Sequence, residues 1–416
     1  MTTEVRISVI NTSGIGGTAF TPLFAGFHDG SFDVYNPGEA ASAGLEAVAE
    51  DGVNSIIASE LTEADSDGQS VNVVGTTPAG GPGPIEAGGR ASTTLEVDGA
   101  SNGYFSLASM ILPSNDAFFG TNEAVQLFDS NGRFQRAETL VFDGSNVLDA
   151  GTEVNTELDA AFINQTANNT GEDQNGVVTR HPGFNGSLGN PDGEGDQIIL
   201  GGTNAFGQFI DPVVADFTQP GAQIATVHIN TVKRTDGSNR SDFVFGGRDD
   251  DIVEGNDGAD IIFGRGGWDV IYGGNGRDII FGGQGADELY GGNGADILRG
   301  GSGSDVISGG KGRDLIFGGS GDDVISGGSG FDILRGGAGK DRFVFSEGSD
   351  VDEVRGFRVE DDSVVLSFSD VNSFEDVLDI ASDVRGGVEL DFGRGDVLLL
   401  GGVDVADLTQ DDFVFV

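Results

Sequence analysis

The sequence predicts an all-β chain in three zones, and three observations carry that prediction. Residues 1–233 alternate short apolar runs with clusters of Gly, Pro, Asn and Asp, the pattern of half-buried strands joined by turns. Residues 246–344 repeat a nine-residue unit without interruption, which marks a stacked-repeat architecture. Residues 345–416 return to alternation, in VELDF at 388–392 and VLLL at 397–400.

In the first zone the clearest strands are VRISVI at 5–10, FSLASMIL at 105–112 and IATVHINTV at 224–232. Strands of that kind, separated by turn residues, predict a β-sandwich. One helix is expected over residues 38–50, where Leu45, Val48 and Ala49 share a face. Residues 234–245 contain RTDGSNRSD and read as a polar junction. In the last zone a short helix is expected to start near Ser373, with Glu375 and Asp376 in its first turn. The expected boundaries are therefore 1–233, 234–245, 246–344 and 345–416.

Charge narrows the partners. The 416 residues hold 68 acids and 21 bases, for a formal net charge of −47. Phosphate binding needs clustered Lys and Arg, so nucleic acid is excluded as a partner, and anionic membrane surfaces are disfavoured for the same reason. Multivalent cations are the natural counterparts. There is no cysteine, so disulfides and thiolate metal sites are out. No run approaches the roughly 18 apolar residues of a membrane span, and MTTEVRISVI lacks the basic and apolar regions of a cleaved leader.

The repeat carries the chemistry. In all eleven units the sixth position is Asp: Asp251, Asp260, Asp269, Asp278, Asp287, Asp296, Asp305, Asp314, Asp323, Asp332 and Asp341. The eighth is always apolar, from Val253 through Ile307 to Phe343. Positions seven to nine suit a three-residue strand with the eighth side chain turned inward. Gly at the first, second and fourth positions permits left-handed dihedrals and tight reversal. The early units depart from this pattern, with Asp249, Asn256 and Arg265 standing where Gly is expected. Asp242 continues the spacing upstream.

This unit resembles the RTX (hemolysin-type) nonapeptide, G-G-x-G-x-D-x-U-x, a known calcium-binding repeat. The resemblance implies a parallel β-roll with two nonapeptides per turn, so that each repeat stacks on the next but one. One Asp column would then hold residues 251, 269, 287, 305, 323 and 341, and the other 260, 278, 296, 314 and 332. Carboxylates stacked about 4.8 Å apart repel by roughly 1–4 kcal/mol per pair at effective dielectrics between 80 and 20. A Ca²⁺ between turns reverses that sign, with loop carbonyls completing its oxygen shell. The gaps between stacked members leave room for about nine ions.

The N-terminal zone resembles a bacterial spondin domain in FAGFHDGSFDVYNPGEAASAGLEAVAEDG at 24–52, LASMILPSNDAFFG at 107–120 and DAGTE at 149–153. HPG at 181–183 and the strand at 224–232 add to it. That resemblance implies a C2-like β-sandwich with a calcium in an end loop. Asp116, Asp149 and Glu153 fall at the acidic loop positions, and the alternative is that Asp116 and Asp149 form turns. The loop DGEGD at 192–196 is a further acidic candidate. Spondin-type domains adhere to matrix or cell-surface partners, which implies adhesion.

RTX proteins resemble one another in leaving the cell unfolded through a type 1 exporter that reads an uncleaved C-terminal signal. The terminal DDFVFV looks like that signal, with an ordinary last strand as the alternative. Modules of about 10⁻⁴–10⁻³ M affinity would fill with calcium only outside the cell, so an extracellular location and folding after export are expected. Catalysis is not expected. His28, His181 and His228 are the only histidines and lie far apart, and neither HExxH nor GxSxG occurs.

Positions seven and nine should point outward if the eighth points in. In alternate repeats they are Ile261 and Phe263, Ile279 and Phe281, Ile297 and Arg299, Leu315 and Phe317, and Ile333 and Arg335. Such a face calls for a cover. Either the C-terminal cap or the sandwich folds over it, or a second copy docks there and builds a filament or layer.

Overall fold

The computed structural model describes residues 2–13, 18–76, 82–85, 87–112, 117–150, 178–180, 202–203, 209–210, 222–359 and 361–415. The chain forms two compact units, Met1–Thr231 and Val232–Val416.

In the first unit two antiparallel sheets face each other. One has the order Arg90–Asp98, Thr2–Asn11, Gln223–Asp236, Glu138–Asp143. The other runs Thr179–Arg180, Leu148–Asp149, Ala117–Gly120, Tyr104–Leu112, Leu23–His28, Gln69–Val73. Alternation explains the core. Val5, Ile7 and Val9 point one way from their strand and meet Phe20, Phe27, Phe105, Phe119 and Val227 between the sheets.

The outer face of the second sheet is covered by two helices, Ala43–Asp51 and Ser55–Ala64. Leu45, Val48 and Ala49 are buried there as expected, packed with Phe24, Ile57, Leu61 and Phe118. The first helix begins later than residue 38 because the Ser42 hydroxyl caps it, accepting the Leu45 N–H at 3.1 Å. Gly52, at φ 65°, ends it. The second helix was not expected. Its start at Asn54 has no side-chain cap bond, and only the Ile57–Leu61 spacing marks its buried face.

The second unit is a parallel coil. Each short strand pairs in register with the strand 18 residues on, as in Ile262 with Ile280, Ile271 with Leu289, and Ile307 with Ile325. Two nonapeptides therefore make one turn, and the eighth-position side chains form two buried stacks joined in one core.

The coil begins before the strict repeat. Val232–Asp236 pairs with Asp250–Glu254, and Phe243–Phe245 with Ile261–Phe263. The stretch 234–245 is thus part of the first turn rather than a junction. Val244 occupies an inward, eighth-type position and Asp242 N–H donates to Asp260 Oδ1 at 2.7 Å, so a polar sequence still satisfies the stack. The C-terminal zone also continues the coil. Ser363–Ser367 stacks on Arg342–Ser346, Asp396–Gly401 on Asp350–Arg355, and Phe413–Phe415 on Ser363–Ser367, with an antiparallel hairpin beside them. The helix Phe374–Ile380 starts where expected, with Ser373 Oγ accepting the Asp376 N–H at 3.2 Å.

Candidate calcium ladder

The eleven repeat aspartates are buried, none more than 1 % exposed. They form two files along the coil. In each file one carboxylate oxygen accepts the backbone N–H of the aspartate one turn earlier: Asp251 N–H to Asp269 Oδ1, Asp260 to Asp278, Asp278 to Asp296 and Asp296 to Asp314, each at 2.8 Å. The bond fixes each carboxyl group across the turn boundary.

The second oxygen has no such bond. Oδ2 of Asp260, Asp269, Asp278, Asp296, Asp314, Asp332 and Asp341 is buried with no hydrogen-bond partner. A buried carboxylate oxygen with no donor is costly unless a cation meets it. Burial accordingly pushes the carboxyls up, Asp269 to about 8, Asp314 to about 7, and Asp278 and Asp341 to about 6. Neighbouring carboxylates in the same file add to the effect, Asp287 on Asp269 and Asp332 on Asp314. Burial likewise raises Asp251, Asp260 and Asp296.

The glycines frame these oxygens. A Cβ on Gly273 would stand 2.6 Å from the Gly291 carbonyl oxygen and 2.8 Å from Asp278 Oδ2, although its backbone is ordinary. Contrary to the sequence expectation, the first glycine of the unit is there for space and not for a left-handed dihedral. The dihedral is needed at the second and fourth positions, as at Gly274 with φ 102°. Asn256 and Arg265, in that second position, hold φ 74° and 84° and keep the turn. Asp251, in the irregular first unit, instead turns Oδ2 to the Gly247 N–H.

The donor set fits calcium. It consists of paired carboxylates from successive turns and nearby backbone carbonyls, all hard oxygen. Among the described residues no three acidic or histidine side chains converge.

Both files run further than the strict repeat. Asp332 N–H donates to Asp352 Oδ1 at 3.1 Å, and Asp341 N–H to Asp362 Oδ1 at 3.2 Å. Asp352 and Asp362 are buried and were missed because they stand 20 and 21 residues on instead of 18. Their one signal is an Asp followed at short range by an apolar alternating run.

Of the spondin-like positions, Asp116 and Glu153 lie outside the described residues, as does the loop 192–196. Asp149 pairs through its backbone with Ala117, next to position 116, and with Thr179. His181 also lies outside. His28 is buried between Ser106 Oγ, 3.0 Å from Nε2, and the Gly30 N–H, which donates to Nδ1 at 3.1 Å. With Nδ1 accepting, Nε2 carries the proton and donates to Ser106. His228 Nδ1 is 2.9 Å from Thr139 Oγ1.

The outward face is less bare than its sequence suggests. Phe245, Phe263 and Phe281 stack with centroids 5.3 and 4.9 Å apart, and Arg299 lies over the Phe317 ring at 5.4 Å. Each ring covers the next. Ile261, Ile279, Leu315 and Ile333 are half-buried and Ile297 is exposed. The C-terminal strands stack on the end of the coil.

The fold and the ladder define a calcium-binding parallel β-roll. The RTX calcium-binding nonapeptide repeat matches the chain at residues 236–267, 263–298, 290–325, 299–334 and 317–352, so the roll is an RTX domain and binds several calcium ions. Spondin_N matches residues 15–174. No curated protein matches the chain significantly. Among solved structures, the extracellular lipase LipA from Serratia marcescens aligns at 20 % identity with a TM-score of 0.22. The alignment covers 44 % of this chain and 40 % of the lipase.

Proposed function

We propose that this is an extracellular, non-catalytic surface or matrix protein, in which the spondin-type sandwich adheres to a partner and the roll folds on calcium after type 1 export. The observation that supports it is the double file of buried aspartate oxygens without donors. With its carboxylates ionised, such a file tolerates the folded state only where a divalent cation is plentiful. The export step rests on the sequence DDFVFV, and in the folded chain Phe413–Phe415 stacks as an ordinary last strand. The full chain should gain β-structure by circular dichroism on moving from chelator to millimolar calcium. The same spectrum in both would end the reading.

A second reading, a self-assembling filament or layer cemented by calcium, draws on the outward face. The C-terminal strands leave Ile297 at 38 % exposure beside half-buried neighbours. Electron microscopy with and without calcium separates the two, because polymers formed on adding calcium favour assembly and dispersed particles favour adhesion.

A further inference from the structure

The two files of carboxylates end differently. In one, the last pair is Asp341 and Asp362. Arg358 lies against both: its guanidinium Nη2 is 2.9 Å from Asp362 Oδ1 and 3.8 Å from Asp341 Oδ2. The same nitrogen donates to the carbonyl oxygen of Gly339. Gly339 and Asp341 are the fourth and sixth residues of the final nonapeptide. A positive group thus meets two carboxylates of successive turns and a loop carbonyl, the kind of donor set that elsewhere in the ladder fits an ion. Asp362 also accepts the Arg358 backbone N–H at 3.0 Å, which ties the arginine's own turn to the pair.

In the other file the last pair is Asp332 and Asp352. Both are fully buried, and Oδ2 of each lacks a hydrogen-bond partner. Among the described residues no guanidinium forms an ion pair with either. The two carboxyl groups lie within hydrogen-bonding reach of each other, and the other charges acting on the pair are Asp350 on both and Arg313 on Asp332. Asp350 adds to the negative charge, and Arg313 is engaged over the Phe331 ring at 4.9 Å.

We infer that the ladder closes asymmetrically: a calcium sits between Asp332 and Asp352, beyond the nonapeptide frame, and the Arg358 guanidinium replaces the calcium between Asp341 and Asp362. Arginine keeps its charge at every physiological pH and cannot diffuse away. One turn at the C-terminal end of the coil therefore has half of its paired carboxylate charge offset whether or not calcium is present, and the rest waits for the ion.

Equilibrium dialysis of the full chain against calcium counts ions per chain, and this inference rests on the calcium-loaded reading of the roll. Asp352→Asn should bind one ion fewer than wild type. Arg358→Gln should bind one more, because it opens the last gap. Arg358→Lys should keep the wild-type count. If Arg358→Gln does not fold even in calcium while Arg358→Lys does, the gap does not take the ion in the guanidinium's place and the inference is overturned. If neither folds, or if the count is unchanged in Asp352→Asn or in folded Arg358→Gln, the inference is overturned. A wild-type chain that binds no calcium would instead sink the calcium-loaded reading itself.

Discussion

Asp269 Oδ1 accepts the backbone N–H of Asp251 at 2.8 Å, and Asp269 Oδ2 lies buried with no donor. One carboxyl group thus serves two purposes. Its first oxygen sets the register between turns, and its second waits for a cation. The same division recurs along both files, so register and ion binding are properties of one side chain and respond together to whatever changes its charge.

Protons should therefore substitute for calcium. Asp269, Asp314 and Asp278 are raised to about 8, 7 and 6 in the folded roll, against 3.8 when unfolded. The folded state then binds more protons than the unfolded state between those values. Its stability without calcium is greatest below pH 3.8 from these groups and is lost as pH rises through about 6 to 8. Each group contributes a slope of about 1.4 kcal/mol per pH unit between 3.8 and its own folded value, and none above it. In chelator the full chain should gain β-signal on acidification from about pH 8 to 5, while in saturating calcium the signal should be nearly flat. About 0.5 M salt in both samples screens the general acidic repulsion. A calcium-free chain that loses structure on this acidification would contradict the raised carboxyls.

Charge and shape can be separated at one site. Asn at position 296 keeps an oxygen for the Asp278 N–H, now 2.8 Å from Asp296 Oδ1, but removes the negative charge. In chelator near pH 7 the Asp296→Asn chain should show more β-signal by circular dichroism than wild type, because an unpaired buried charge worth about 1–3 kcal/mol is gone. In calcium the order should reverse, with the calcium midpoint raised about tenfold, equivalent to about 1.4 kcal/mol. Equal destabilisation in both conditions would show that the aspartate acts by shape alone.

How much of this was legible in the sequence follows from how strictly each element repeats. The eleven aspartates and the inward stacks were readable because a nine-residue period leaves one residue type at one place. Asp352 and Asp362 were not, since insertions lengthen the last turns while the hydrogen bond to the preceding Asp persists. The stretch 234–245 looked like a linker because its polarity hides Val244, a single inward residue. In the first unit the long strands alternate clearly, whereas Leu148–Asp149 and Thr179–Arg180 are two-residue strands with no period to detect. The outward face was legible only in part. Sequence shows that Phe263 and Phe281 are apolar and outward, but not that parallel register stacks one ring on the next.

The glycine framework supplies the last prediction, because it distinguishes two reasons for the same residue. Gly273 has an ordinary backbone, yet an added Cβ would press on Asp278 Oδ2 at 2.8 Å and on the Gly291 carbonyl at 2.6 Å. Gly356 has φ 77° and nothing within 4 Å of an added Cβ. Gly356→Ala should therefore cost only the left-handed backbone penalty, about 1–2 kcal/mol, and should leave the calcium count alone. Gly273→Ala should cost more in calcium, about 2–4 kcal/mol, and should lose an ion, since the methyl group takes the space beside the ligating oxygen. Urea melts in calcium give the first quantity and equilibrium dialysis the second. A Gly273→Ala chain that keeps the wild-type ion count would place the calcium away from that oxygen, and the first-position glycine would need another explanation.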